Sequence, residues 1–190
     1  DTPQLAGEVE SAARELDAAR PELGQDGVRR ALVRSQAEIA ERAEPAAATA
    51  LMLRGAEFLR VELDDDRGAF DLLRQGVARQ PKSDEVYAAF LGMAEKLKRL
   101  DAVDAHLSRL TDEATDSASA VELLKRRAAL LEGQLKRFED AAAVYTKLAQ
   151  LRPDDLEIAD KLRAGLRRSG RYQELLLALN KQLQRTRDPA

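Results

Sequence analysis

Residues 126 to 153 read RRAALLEGQLKRFEDAAAVYTKLAQLRP, and this stretch contains the pattern that decides the fold. Apolar residues recur at helical spacing on both sides of a short polar break, which predicts two amphipathic helices joined by a tight turn. The two stripes are Leu124, Ala128, Leu131 and Leu135, then Ala141, Val144, Tyr145 and Leu148. Neither helix can bury its own stripe, so we expect this pair to stack on similar pairs.

The composition favours closely packed helices over a nucleic-acid-binding or disulfide-linked domain. Of 190 residues, 44% are hydrophobic but only 4% are aromatic, so the core must consist mainly of Leu, Ala and Val. The 31 basic and 34 acidic residues are nearly balanced, without the basic excess expected of a protein that binds DNA, RNA or anionic lipid. The absence of Cys excludes disulfides and cysteine-based zinc sites.

The apolar periodicity predicts an all-α chain of ten helices, with Pro, Gly and Asp residues at the breaks. The predicted ranges are 4–19, 25–43, 46–62, 66–79, 84–98, 101–113, 118–134, 138–150, 155–168 and 171–186. Because the connections are short, successive helices should lie antiparallel as neighbours. No apolar run approaches the roughly 18 residues that a membrane-spanning helix needs.

The sequence also repeats itself. The position numbers of Pro81 and Pro153 differ by 72 (153 − 81), and this long offset relates eight further pairs of mostly apolar or small residues. They are Ala69 and Ala141, Leu73 and Tyr145, Ala56 and Ala128, Val86 and Ile158, Phe90 and Leu162, Leu100 and Tyr172, Val103 and Leu175, and Leu107 and Leu179. A short offset of 34 (172 − 138) relates Phe138 to Tyr172. A period of about this length that contains two helices indicates an α-solenoid of antiparallel helix pairs.

This pattern resembles the tetratricopeptide repeat family. The best-preserved copy spans residues 122 to 155 and matches the family pattern at Ala129, Phe138, Ala141, Tyr145 and Pro153. The alternation of two repeat types within the long offset resembles fragments of long repeat proteins from bacteria such as the myxobacteria. The resemblance implies a right-handed superhelix of about five helix pairs. Residues 1–45 would form a degenerate or capping pair, followed by four repeats at about 46–83, 84–117, 118–155 and 156–190.

In the family that this chain resembles, the first helix of each repeat lines a concave groove that binds a protein or peptide. Carried over to this sequence, the resemblance implies a partner-binding groove lined by Arg54, Phe58, Lys96, Arg126, Arg127, Leu130, Gln134, Lys161, Arg167 and Arg168. Family members that hold the C-terminal carboxylates of chaperones use paired Asn residues on first helices. Here the only Asn, Asn180, lies on a predicted second helix, so that clamp is not expected.

A basic cluster near the C-terminus has two interpretations. It consists of Lys161, Arg163, Arg167, Arg168 and Arg171. The first interpretation is that these residues complement the helix dipole, since acidic residues begin the same helix and basic residues end it. The second is that their charged groups hold an acidic peptide in the groove. The sequence leaves both open.

No pattern in the chain predicts catalysis, a metal site or a cofactor. His106 is the only His and lies within DAVDAHLSRL, where we expect it to have a surface or packing role. No nucleophile-elbow sequence surrounds any Ser, so a Ser-His-Asp triad is not expected. The run from Asp64 to Asp66 lacks the ligand spacing of a calcium loop and instead predicts a solvated turn and helix cap.

The sequence therefore predicts a noncatalytic protein-interaction module that serves as part of a scaffold or adaptor, in the cytoplasm or alternatively in the periplasm. A second hypothesis is a structural spacer that self-associates through its end helices, because the last helix carries a broad apolar surface that includes Leu176, Leu179 and Leu183. The same surface leads us to expect a further repeat in the intact protein. A helical-repeat RNA binder is a third hypothesis, which scarce aromatics and an acidic balance disfavour.

Overall fold

The computed structural model describes residues 24–40 and 42–187, and in this part of the chain every regular element is an α-helix. The helices are α1 (Gly24–Ala40), α2 (Pro45–Glu62), α3 (Asp66–Arg79), α4 (Asp84–Lys96), α5 (Leu100–Glu113), α6 (Ser117–Gly133), α7 (Phe138–Leu151), α8 (Leu156–Arg168) and α9 (Tyr172–Arg187). These nine agree with the predicted ranges to within three residues at each end, which confirms the all-α prediction. The predicted helix at 4–19 lies outside the described residues.

The helices are grouped into two compact units, the first ending at Lys98 and the second beginning at Arg99. In the first unit, α1 packs on α2, α2 on α3, and α3 on α4, with additional contacts between α2 and α4. In the second unit, α5, α6, α7, α8 and α9 pack consecutively in chain order. The boundary falls in the turn between α4 and α5, inside the repeat predicted at 84–117.

The long offset recurs in the positions where helices begin. The first residues of α2, α3, α4 and α5 precede those of α6, α7, α8 and α9, respectively, by the same 72 positions (117 − 45, 138 − 66, 156 − 84 and 172 − 100). Helix lengths also alternate, because α2 and α6 have 18 and 17 residues whereas α4 and α8 have 13 each. The difference is about one helical turn of 3.6 residues. Each block of four helices thus begins with a long helix and has a shorter helix at its third position.

One residue in the left-handed region of backbone space marks each turn after α2, α4, α6 and α8. These turns contain Asp64, Lys98, Lys136 and Gly170, with φ of 47°, 55°, 56° and 72°. Their position numbers differ by 34 (98 − 64), 38 (136 − 98) and 34 (170 − 136). Only Gly adopts this conformation without a steric cost. The four turns therefore share this backbone geometry, although only the last one has a Gly at the left-handed position.

Side-chain caps fix the start of four helices. Asp65 accepts a hydrogen bond from the backbone N–H of Gly68 at 2.8 Å, which confirms that the acidic run before α3 provides a helix cap. Ser83 and Asp155 are related by the long offset (155 − 83) and cap α4 and α8 in the same way. Asp116 caps α6. A cap of this kind stabilises a helix by about 1 kcal/mol.

The predicted hairpin at 126–153 forms the centre of the core in the second unit. The predicted apolar stripes of α6 and α7 are buried except for Leu135, which follows α6 and is partly buried. Helices α8 and α9 extend the same cluster with Ile158, Leu162, Leu166 and Leu175. Helices α7 and α8 pack closely, since a Cβ atom placed on Gly165 of α8 would make an ordinary van der Waals contact with the Cα atom of Ala142 on α7, at 3.5 Å. The first unit has an aromatic core contact, in which the ring centroids of Phe70 and Phe90 are 5.0 Å apart.

Candidate partner-binding cleft

A cleft of about 420 Å³ opens between α2 and α4 in the first unit. It is lined by Leu53, Ala56, Glu57 and Arg60 of α2, Leu73 of α3, and Ala89, Gly92, Met93 and Lys96 of α4. The lining residues of α2 and α4 recur at three- or four-residue spacing, so each helix presents one face to the cleft. Apolar side chains dominate the lining, and the charged groups belong to three residues alone. This combination suits an apolar side chain that is accompanied by a polar or charged group.

Gly92 leaves part of the α4 wall empty. A Cβ atom placed on this residue would find no other heavy atom within 4 Å, apart from its own local helix backbone. Two other helix glycines of the first unit differ, since a Cβ on Gly76 would lie 2.8 Å from Val86 Cγ1, and one on Gly55 would lie 2.9 Å from Leu72 Cδ2. Gly55 and Gly76 thus permit close helix packing, whereas Gly92 widens the cleft.

Two cationic side chains line the cleft from α2 and α4. Arg60 Nη2 lies 2.7 Å from Glu57 Oε1 one turn earlier on α2, and Lys96 Nζ lies 2.7 Å from Asp66 Oδ1 on α3. The hydrogen bond from Arg60 to Glu57 and the negative charge of Glu57 raise the pKa of Arg60 above the usual value, so the guanidinium stays charged. Each cation is thus engaged by one carboxylate, and no ion pair with the other wall of the cleft is present among the described residues.

The equivalent positions in the second unit have a different chemistry. At the long offset from Arg60, Lys96 and Leu73 stand Glu132, Arg168 and Tyr145. Arg168 Nη1 lies 3.4 Å from Glu132 Oε1, which joins α8 to α6, and its guanidinium lies 4.5 Å from the centroid of the Phe138 ring. In the second unit, Glu132 on the long helix α6 therefore pairs with Arg168 on the short helix α8. In the first unit, both of the corresponding residues are cations.

Tyr145 extends this network in the second unit. Its hydroxyl donates to Glu132 Oε2 at 3.2 Å, and its side chain is buried. Burial, followed by the negative charge of Glu132 and the hydrogen bond, raises the pKa of Tyr145 to about 12. The tyrosine and the ion pair thus occupy the positions that correspond to the lining of the cleft in the first unit.

The groove residues predicted on α2 and α4 only partly coincide with the cleft. Lys96 lines the cleft, but Arg54 is exposed elsewhere on α2 and Phe58 is half-buried without lining the cleft. The face of α2 that borders the cleft contains Leu53, Glu57 and Arg60, so it is rotated by about one residue from the predicted face. One residue corresponds to about 100° on a helix, and the sequence pattern alone does not fix a helix rotation this closely.

Two groove residues predicted on α6 are buried. Arg126 and Leu130 are 6% and 1% exposed, so they are not presented at the surface as the prediction requires. The physical reason is that α6 is buried on two faces, since Leu124 and Leu131 on another face belong to the core with α7 and α8. Arg126 Nε contacts Glu122 Oε1 at 3.1 Å within the same helix.

Arg127 also forms an ion pair inside the protein. Its Nε lies 2.6 Å from Oδ1 of Asp104 on α5, and the Asp104 carboxylate is buried. Arg137 Nη1 reaches the other oxygen of Asp104 at 3.1 Å. Asp104 is not among the residues that the sequence pattern predicted to be functional. The available signal was its place next to Val103 and one turn before Leu107 in an otherwise apolar stripe.

The remaining predicted groove residues are at the surface of the second unit. Gln134, Lys161 and Arg167 are exposed, and Arg168 is exposed while it pairs with Glu132. Two other members of the basic cluster pair locally: Arg163 contacts Asp160 within α8, and Arg171 Nη2 lies 2.6 Å from Glu174 Oε2. The cluster is therefore partly neutralised by carboxylates three residues away.

His106 lies at a buried position on α5, with Nδ1 3.4 Å from Arg109 Nη2 one turn later. Over residues 24–40 and 42–187, no group of three or more His, Asp or Glu side chains converges in a way that would hold a metal ion. Within the same described ranges, no helix combines the length and apolar character that crossing a membrane requires.

Comparison with known proteins gives no further guide to the site. No protein-family model matches the chain. Searches against curated proteins and against solved structures likewise gave no significant match.

Proposed function

We propose that the chain is a noncatalytic protein-interaction module, a tetratricopeptide-like α-solenoid with a right-handed superhelix, and that the cleft between α2 and α4 binds a peptide or helix of a partner protein. The recurrence of helix starts and of left-handed turn residues supports the repeat assignment. The observation that carries the binding function is the open, mainly apolar cleft with Arg60 and Lys96 on its two walls.

The internal comparison indicates what the partner should offer. In the second unit, Glu132 provides a carboxylate that pairs with the cation of α8 and accepts a hydrogen bond from Tyr145. In the first unit, the position of Glu132 is taken by Arg60, and Glu57 and Asp66 each engage one of the two cations without bridging the walls. We therefore expect the partner to supply the bridging carboxylate. We expect the partner segment to combine one apolar side chain, for the floor around Leu73 and Met93, with an Asp or Glu nearby.

A selection from a random peptide library displayed on phage tests this proposal. Enriched peptides should carry an acidic residue at a fixed spacing from a large apolar residue. Their affinity for the wild-type chain is then measured by fluorescence anisotropy and compared with Gly92→Leu. The new side chain fills the cleft, so affinity should fall by about tenfold or more. Because Gly92 is inside a helix and its Cβ site is empty, the substitution should not destabilise the fold.

Gly133→Leu is the matched control. Gly133 is also exposed, helical and free of heavy atoms around its Cβ site, but it lies at the end of α6 outside the cleft. Arg60→Glu provides a second variant, because it supplies from α2 the negative charge that the peptide would otherwise bring to Lys96. Peptides that bind Gly92→Leu and Arg60→Glu as tightly as wild type would refute binding in this cleft, and so would a selection that enriches no peptide.

A further inference from the structure

An apolar stripe runs along the outer face of α9. Tyr172, Leu176, Leu179 and Leu183 are 66%, 60%, 41% and 50% exposed, respectively. The face of α9 that packs on α8 is a different one, to which Leu175 and Ala178 belong. The exposed stripe is therefore a second apolar face of α9.

Earlier copies of the same position are covered by a helix. Leu107 corresponds to Leu179 at the long offset (179 − 107) and is fully buried on α5, which packs on α6. Tyr145 corresponds to Leu179 at the short offset (179 − 145) and is buried on α7, which packs on α8. The occupant suited to the stripe on α9 is therefore another α-helix.

The spacing of the stripe identifies the geometry of that helix contact. Its members follow one another at intervals of four, three and four residues, which is the spacing of the a and d positions of a coiled coil. In this register, Gln173 and Asn180 flank the seam and are both exposed. Flanking charges usually determine which helices pair and which repel. With uncharged flanks, two identical copies of this seam meet without like-charge repulsion.

We propose that the stripe on α9 is a self-association surface, on which a second copy of this chain packs its own α9 around a two-fold axis. A two-fold contact uses the same patch twice, so one apolar stripe per chain is sufficient. The four side chains expose on the order of 400 Å² per copy, which is within the usual range for a functional patch on a monomer. Two copies would bury about 800 Å² from these residues, which is below the roughly 1,000 Å² expected of a stable specific interface, so the dimer should be weak and concentration-dependent.

Sedimentation equilibrium over a wide concentration range tests the proposal, and adjacent leucines provide a matched pair of variants. The wild-type chain should shift from the mass of one chain towards that of two as concentration rises. Leu176→Glu should abolish the shift, because it places a charge in the seam of both copies. Leu177→Glu should leave it unchanged, since Leu177 is 68% exposed and lies about 100° further around the helix, outside the seam. Both residues are exposed, so both variants should retain the wild-type circular dichroism spectrum.

A wild-type chain that remains monomeric at millimolar concentration would overturn the proposal and leave the stripe to the helix of another protein. A dimer that survives Leu176→Glu, or one that Leu177→Glu disrupts equally, would place the contact elsewhere and also overturn it. The inference does not depend on the cleft between α2 and α4. Gly92→Leu should therefore dimerise like wild type, and Leu176→Glu should bind selected peptides like wild type.

Discussion

The buried carboxylate of Asp104 should contribute much more to stability than that of its neighbour Asp101. Asp104 accepts from Arg127 Nε at 2.6 Å and from Arg137 Nη1 at 3.1 Å, so it ties α5 to α6 and to the residue that precedes α7. Its side chain is 9% exposed, whereas that of Asp101, 3.5 Å from the same Arg137, is 84% exposed. The substitutions Asp104→Asn and Asp101→Asn remove the same charge from two different environments.

The magnitude follows from which partners remain charged and buried. Breaking a buried ion pair by removing one partner costs about 3–5 kcal/mol. Arg137 is 43% exposed and keeps Asp140 as a partner at 2.7 Å, so Arg127 is the residue that loses its carboxylate contact in a largely buried site. We therefore expect Asp104→Asn to lower the free energy of unfolding by about 2–3 kcal/mol. The exposed pair of Asp101 should contribute less than about 1 kcal/mol.

Urea denaturation followed by circular dichroism at neutral pH measures both variants. The transition midpoint should fall for Asp104→Asn with an unchanged slope, which would indicate lost stability and not a change in the unfolded chain. The difference between the two variants should persist in concentrated salt, because buried pairs are weakly screened. Equal midpoints for Asp104→Asn and Asp101→Asn would refute the reasoning that burial makes this network stabilising.

Two further predictions concern Tyr145 and the glycines of α8 and its turn. The folded-state pKa of Tyr145 is raised to about 12 from an unfolded value near 10. The contribution of the neutral Tyr145 side chain to the free energy of unfolding is therefore complete below pH 10 and is lost as the pH rises towards 12. This loss amounts to about 2 kcal/mol, and Tyr145→Phe should not show it. If the free energies of unfolding of the wild-type and Tyr145→Phe chains change in parallel above pH 10, the prediction is contradicted. Gly170→Ala should lower the melting temperature, because a φ of 72° costs a non-Gly residue about 1 kcal/mol. Gly165→Ala should preserve or raise the melting temperature, because the new Cβ atom would make only ordinary contacts at 3.5 Å. The reverse order of these melting temperatures would show that turn geometry does not limit stability here.

The helices and their core faces could be predicted from the sequence because one local rule governs them. An amphipathic helix buries residues at a period of about 3.6, so Leu131 and Ala141 had to face a neighbour wherever that neighbour lay. The helix starts at Asp84 and Asp66 could also be predicted from the sequence, since Ser83 and Asp65 are strong capping residues. These features depend on residues within a turn or two of each other.

The features that could not be predicted depend on contacts between distant residues. Asp104 and Arg127 are 23 positions apart, and a charged residue is by default expected at the surface, so nothing local indicates that they pair in a buried site. The rotation of α2, which places Arg60 at the cleft and Arg54 outside it, is determined by packing on α3 and α4. Lys98 has a left-handed backbone without the Gly that would have signalled it.

The alternation of long and short helices bears on how such a chain can be lengthened or shortened. Deleting two helices, for example α4 and α5, would join α3 to α6 and place one long helix two positions after another. No such junction is found among the described residues. Deleting four consecutive helices, for example α4 to α7, would instead join α3 to α8, so that a short helix again stands two positions after a long one. The smallest unit that recombination or protein engineering can exchange without creating a new kind of junction is therefore a block of four helices.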